Sequence, residues 1–124
     1  MNWVFDIDGT ISENPSVFGK LMKALKDSGE RVVVMTGALD PESLDKASVH
    51  LDFRKNQLMV YGIIEGIHYD ELEVIIGKTV LDVAKGKGRR CGILKAEMVF
   101  EDSPLYISEI RKASPSTTTL LVTQ

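Results

Sequence analysis

The sequence predicts an α/β protein, a three-layer sandwich with five parallel strands in the middle and helices on both faces. Two observations predict it. Apolar runs of strand length alternate with stretches of helical spacing along the chain, the pattern of a parallel sheet with right-handed crossovers. Three of those runs also end in polar groups, Asp6-Ile7-Asp8, Thr36-Gly37 and Glu101-Asp102. That is how the ligand-binding carboxyl edge of such a sheet reads. By size the chain is expected to be one domain, residues 1–124.

Asn2 to Ile7 is almost wholly apolar, as suits a strand buried on both faces. Asn14-Pro15 is an N-cap followed by a first-turn proline. Val17, Phe18, Leu21, Met22 and Leu25 then share one helical face, and Gly29 ends it. Arg31 to Thr36 is the second strand, broken at Gly37. Asp40-Pro41 opens a helix expected to reach about Phe53, and Leu58 to Ile64 reads as the third strand. Glu65 to Ile76 reads as a loop carrying a turn of helix or a short strand. A helix is expected from about Lys78 to Gly86 or Gly88, a fourth strand from Ala96 to Phe100, a helix from Pro104 to Ala113, and a fifth strand from Thr117 to Val122.

Apolar residues make up 44% of the chain and charged residues 27%, a composition that supports a packed core and excludes disorder. A net charge of -3 gives no general affinity for nucleic acid or anionic membranes. No apolar stretch is long enough to span a bilayer, and no basic segment leads into an apolar one at the start. The single cysteine, Cys91, allows no internal disulfide and reads as a small buried hydrophobe. The expected location is the cytoplasm. His50 and His68 lack partners at metal-ligand spacing.

The most informative segment is Val4-Phe5-Asp6-Ile7-Asp8-Gly9-Thr10-Ile11. Strand alternation continued through it would point Asp6 and Asp8 the same way, with Gly9 stopping the strand. Two carboxylates about 4 Å apart repel by roughly 4 kcal/mol at a protein-like dielectric. A cation offsets that, so the pair reads as a metal-assisted site. A polar turn after an edge strand would use the same residue types.

These residues resemble motifs of the haloacid dehalogenase superfamily of phosphohydrolases. Phe5 to Thr10 looks like its first motif, Val34-Met35-Thr36-Gly37 its second, and Val99-Phe100-Glu101-Asp102-Ser103 its fourth. For the third, a lone basic residue near a helix start, Lys78 is the candidate, with Lys85 and Lys95 as competitors. The resemblance implies a Rossmann-like sheet of order 5-4-1-2-3. It also implies a Mg²⁺-dependent phosphatase that hydrolyses a phosphomonoester through an aspartyl-phosphate. Asp6 would be the nucleophile and Asp8 the general acid and base. Asp6, Asp8 (through its backbone carbonyl), Glu101 and Asp102 would hold Mg²⁺, a hard ion that takes few carboxylates. Thr36 and Lys78 would meet the phosphate, with backbone N–H groups of Gly9, Thr10, Gly37 and Ala38. Only Ser12 and Glu13 separate the first motif from the next helix cap, so no cap domain is expected.

The expected partner is a phosphorylated substrate, a small molecule or a macromolecular end, and a homo-oligomer is left open. Two other functions compete: a nucleotide or nucleic-acid-end phosphatase, and a phosphate- or metal-binding module without turnover that acts through a partner. Lys85, Lys87, Arg89, Arg90 and Lys95 form an acid-free basic run. It reads as a solvated helix end far from the catalytic edge, favoured there by the helix dipole, rather than as a nucleic-acid grip.

Overall fold

Alternation of buried side chains builds the centre of the molecule. In the computed structural model, which describes residues 1–40 and 47–123, Val32, Val33, Val34 and Met35 are all buried. Successive residues of a strand face opposite sides. Val32 and Val34 accordingly join a core with Phe5, Phe18, Met22, Leu25, Leu58 and Phe100. Val33 and Met35 join a second core with Val4, Cys91, Val99 and Ile110.

Strands β1 (Asn2–Phe5), β2 (Arg31–Leu39), β3 (Glu71–Gly77), β4 (Ala96–Glu101) and β5 (Thr118–Leu121) form one sheet. Every neighbouring pair is parallel. The order is β3-β2-β1-β4-β5, which is the expected 5-4-1-2-3 read from the other edge. Helices α1 (Pro15–Asp27) and α2 (Ala47–Val60) contribute to the first core. Helices α3 (Val80–Leu94) and α4 (Pro104–Ala113) contribute to the second. Phe5 stacks on Phe100 with ring centroids 4.6 Å apart, and Phe18 meets both edge-on. No described helix is long and apolar enough to cross a membrane.

Three sequence expectations need correction. Leu58 to Ile64 is not a strand. Leu58 and Ile63 are buried, while Met59, Val60 and Ile64 are exposed, so α2 runs on to Val60 and the chain turns at Gly62 with φ 79°. The start expected for that helix, Pro41, lies outside the described residues. The third strand is instead Glu71–Gly77, whose Val74-Ile75-Ile76 core was masked by Glu71 and Glu73. Those acids suit an edge strand, where charge discourages further pairing. Glu71 pairs with Arg31 at 2.6 Å, and Glu73 pairs with Arg90.

Gly37 does not break β2, which continues to Leu39 alongside β3. Nor do Gly86 and Gly88 end α3. Glycine is a poor helix residue in isolation, but here its lack of a side chain is what lets α4 approach. A Cβ on Gly88 would lie 2.7 Å from the Glu109 carbonyl oxygen, and one on Gly92 3.1 Å from that of Ala113. Helix α3 begins one residue after Thr79, whose hydroxyl accepts from Asp82 N–H while the Asp82 carboxylate accepts from Thr79 N–H.

Candidate functional site

Strand β1 ends at Phe5, and the chain leaves the sheet in one wide turn, Ile7–Ile11. Inside it Gly9 has φ 77°, a left-handed conformation that glycine adopts without penalty. A Cβ there would lie 2.0 Å from Asp102 Oδ2, so the bare backbone of Gly9 makes room for that carboxylate. Gly9 N–H is engaged by Ser12 Oγ at 2.9 Å and so does not wait for a phosphate oxygen as expected.

Asp6, Glu101 and Asp102 come together, with one carboxylate oxygen of each within 4.8 Å of those of the other two. Asp6 and Glu101 are buried, and Asp102 is half-buried. Lys87 Nζ donates to Asp6 Oδ1 and to Glu101 Oε2, each at 2.8 Å. It also lies 4.6 Å from the ring centroid of Tyr106. Glu101 Oε1 accepts from the N–H groups of Asp102 and Ser103, which fixes the turn into α4. Three acids thus share one lysine in a buried setting. Such an excess of negative charge is stable only when protonated or neutralised by a further cation.

The titration directions reflect that imbalance. Burial raises the Asp6 pKa, outweighing the lowering effect of Lys87. Burial also pushes Glu101 from its ordinary 4.5 up to about 8, again against Lys87. Lys87 is disfavoured as a cation by burial, but Asp6 and Glu101 more than compensate, and its pKa is raised. Lys87 therefore stays charged, and Glu101 is held toward its protonated form.

The consequence for stability has a definite sign. Between about 4.5 and about 8 the folded protein keeps a proton on Glu101 that the unfolded chain has released. This group's stabilisation is complete below its ordinary value and is lost as pH rises through about 8. Asp6 acts in the same sense. Metal-free protein should show a Tm that falls across this window in a thermal scan series. A flat or rising Tm there would mean that the acids are ionised throughout.

Lys78, the lysine expected at this site, is exposed and stands before the Thr79 cap. Lys87 takes the place instead and is only 2% exposed, contrary to the solvated basic face expected for its segment. Helical side chains lean toward the N-terminus of their helix. The long lysine stem therefore reaches back to the sheet edge from the third turn of α3. The sequence carried a signal for this. Val83, Lys87 and Cys91 recur every fourth residue, so Lys87 lies in the buried stripe of α3. Lys85, Arg89 and Lys95 are exposed as expected, but Arg90 pairs with Glu73.

Asp8 does not join the acids. Its side chain is 62% exposed and turned to Arg54, whose Nη1 donates to Asp8 Oδ2 at 2.9 Å. The strand alternation that would have aligned Asp8 with Asp6 ends at Phe5. Arg54 Nη2 donates to the Gly37 carbonyl at 2.8 Å, tying α2 to the tip of β2. Thr36 and Thr10 are buried, and among the described residues neither hydroxyl has a hydrogen-bond partner. Gly37 and Ala38 lie in the part of β2 that runs past the end of β1. Open hollows flank this edge, one of about 360 Å³ lined by Asp102, Pro104 and Val122 and one of about 250 Å³ lined by Thr10, Glu13 and Val122.

His50 pairs with Asp40 at 3.2 Å, and His68 Nδ1 accepts from Ile64 N–H. Neither belongs to the acid group. Cys91 is buried, and burial pushes its thiol up to about 12, as fits a hydrophobe.

No family model matches the chain. No curated protein matches it. Among solved structures it is similar to the crystal structure of a universal stress protein in complex with cAMP, with a TM-score of 0.55 and 15% identity over 99% of this chain and 96% of that one. At that identity the likeness shows the fold, a Rossmann-like parallel α/β sheet. These findings correct the expected membership of the haloacid dehalogenase superfamily. The expectations that the chain is a hydrolase, and specifically a Mg²⁺-dependent phosphatase, are overturned with it by the likeness to a universal stress protein.

Proposed function

We propose that this chain is a binding module for a phosphorylated small molecule, taken up together with a divalent cation, and that it works by occupancy without turnover. The observation that carries the reading is the buried group of Asp6, Glu101 and Asp102 sharing the single Lys87. Carboxylate oxygens so close together suit a hard cation such as Mg²⁺, which takes one or two carboxylates and fills its remaining positions with water and phosphate oxygens. Asp6 and Asp102 would be the ligands. Glu101, with both oxygens already engaged, would orient Lys87 and Asp102. The orphaned hydroxyls of Thr10 and Thr36 at the same edge would donate to phosphate oxygens.

Two observations favour binding over catalysis. Asp8, the residue expected to move protons, stands apart from the acid group in an ion pair with Arg54. The universal stress protein to which the fold is similar holds cAMP, a phosphate-bearing small molecule. The carboxyl edge of a parallel sheet is where such a ligand sits by general rule.

Calorimetric titration with inorganic phosphate and with cAMP, each with Mg²⁺ and with EDTA, tests this. Saturable binding that needs Mg²⁺ and is lost in Asp6→Asn, with no phosphate released from an aryl phosphate, is the expected result. Absence of binding by folded protein would overturn the reading. So would Mg²⁺-dependent phosphate release abolished by Asp6→Asn, which would show turnover.

A further inference from the structure

Lys87 and Arg54 both stand at the carboxyl edge of the sheet, and they are held very differently. Lys87 is 2% exposed and fully engaged by Asp6 and Glu101. Withdrawing it would leave two buried carboxylates without a counter-charge, which is strongly unfavourable. Arg54 is tethered at one end, where Nη2 donates to the Gly37 carbonyl and Nη1 to Gln57 Oε1. Its charge is answered by Asp8, a carboxylate 62% exposed to water. Water at the Asp8 end screens the pair, which weakens the hold of Asp8 on the guanidinium. The Arg54 side chain as a whole is 12% exposed, and its bonds to Gly37 and Gln57 hold the guanidinium in place before any ligand arrives.

We infer that Arg54 is the residue that recognises the ligand's phosphate, and that Asp8 holds its Nη1 donor as an internal competitor until the phosphate displaces it. The inference rests on the binding function proposed above and assigns the charge selection of that same site. A planar guanidinium matches a phosphate with two parallel N–H donors. The phosphate brings more charge than a single carboxylate, and it arrives beside Thr36 and Gly37, to which Arg54 is already tied through the Gly37 carbonyl. Displacement costs little on the Asp8 side, because a mostly exposed carboxylate is solvated as soon as it leaves.

A competitor has a signature that a supporting residue lacks: its removal strengthens binding. Titration of Mg²⁺-loaded protein with inorganic phosphate should show Asp8→Asn binding several-fold more tightly than wild type. Arg54→Gln should weaken binding by roughly tenfold or more, since bonds to a charged group are lost. Arg54→Lys should recover only part of that loss, because an ammonium cannot form the paired contact. In the double variant Asp8→Asn, Arg54→Gln, the gain from Asp8→Asn should vanish. A gain that persists would show that Asp8 merely repels the anion at a distance, and would overturn the inference.

Urea midpoints measured alongside separate binding from folding, and all four variants should stay within a small shift of wild type. If wild type binds phosphate with Mg²⁺ and Asp6→Asn abolishes it, yet the Arg54 and Asp8 variants bind like wild type, the role of Arg54 fails while the binding function stands. If wild type does not bind, both fail.

Discussion

Lys87→Ala is expected to destabilise the fold by about 3–5 kcal/mol, the range found when one partner of a buried ion pair is removed. The side chain is 2% exposed and bonds two carboxylates that are themselves almost wholly buried. Its loss leaves Asp6, Glu101 and Asp102 facing one another without the lysine that two of them bond, while the Tyr106 ring loses its only cationic neighbour among the described residues. Cavity formation adds to the charge effect. Lys78→Ala, at an exposed position before α3, should change stability by no more than about 0.5 kcal/mol. Urea denaturation of the two variants side by side makes the comparison. Low pH should narrow the gap, because protonated acids no longer need the lysine. Equal stability of the two variants would mean that Lys87 is not the site's counter-charge.

Gly9→Ala is the second large effect, expressed mainly in metal affinity. At φ 77° an L side chain costs about 1–2 kcal/mol, and here the added methyl would also overlap Asp102 Oδ2 at 2.0 Å. The carboxylate is the softer partner in that clash and should rotate away, breaking the approach of Asp102 to Asp6. A disturbed ligand set of this sort typically lowers affinity by about 10–100-fold. Mg²⁺ titration of Gly9→Ala should show that loss, together with a modest fall in Tm. Unchanged Mg²⁺ affinity in a folded variant would remove Asp102 from the proposed metal site.

Much of the architecture was legible in the chain. Helix α4 was read with the bounds it has, Pro104 to Ala113, with the apolar residues Ile107 and Ile110 marking its inward face. The sheet order followed from the alternation of elements together with the family resemblance, and it survives the correction of the family itself. Strand β3 read only as a loop carrying a turn of helix or a short strand, because its glutamates diluted its hydrophobicity, and those glutamates make sense only beside Arg31 and Arg90. Gly86 and Gly88 of α3 read as helix breakers until β3 is seen lying against the first and α4 against the second.

By itself the sequence determined which strands carry acids to the carboxyl edge, since Asp6, Glu101 and Asp102 follow apolar runs whose periodicity is local. Tertiary structure decided which cations meet them and which acid stays out. Lys87 and Asp6 are 81 residues apart, and Arg54 and Asp8 are 46 apart. Pairings at such separations depend on the angle at which a helix crosses the sheet and on how far a side chain reaches. The close α3–α4 packing at Gly88 sets the first for Lys87. The early end of β1 at Phe5 sets the direction of Asp8. Neither is encoded in local periodicity, because both arise where elements distant in sequence come into contact.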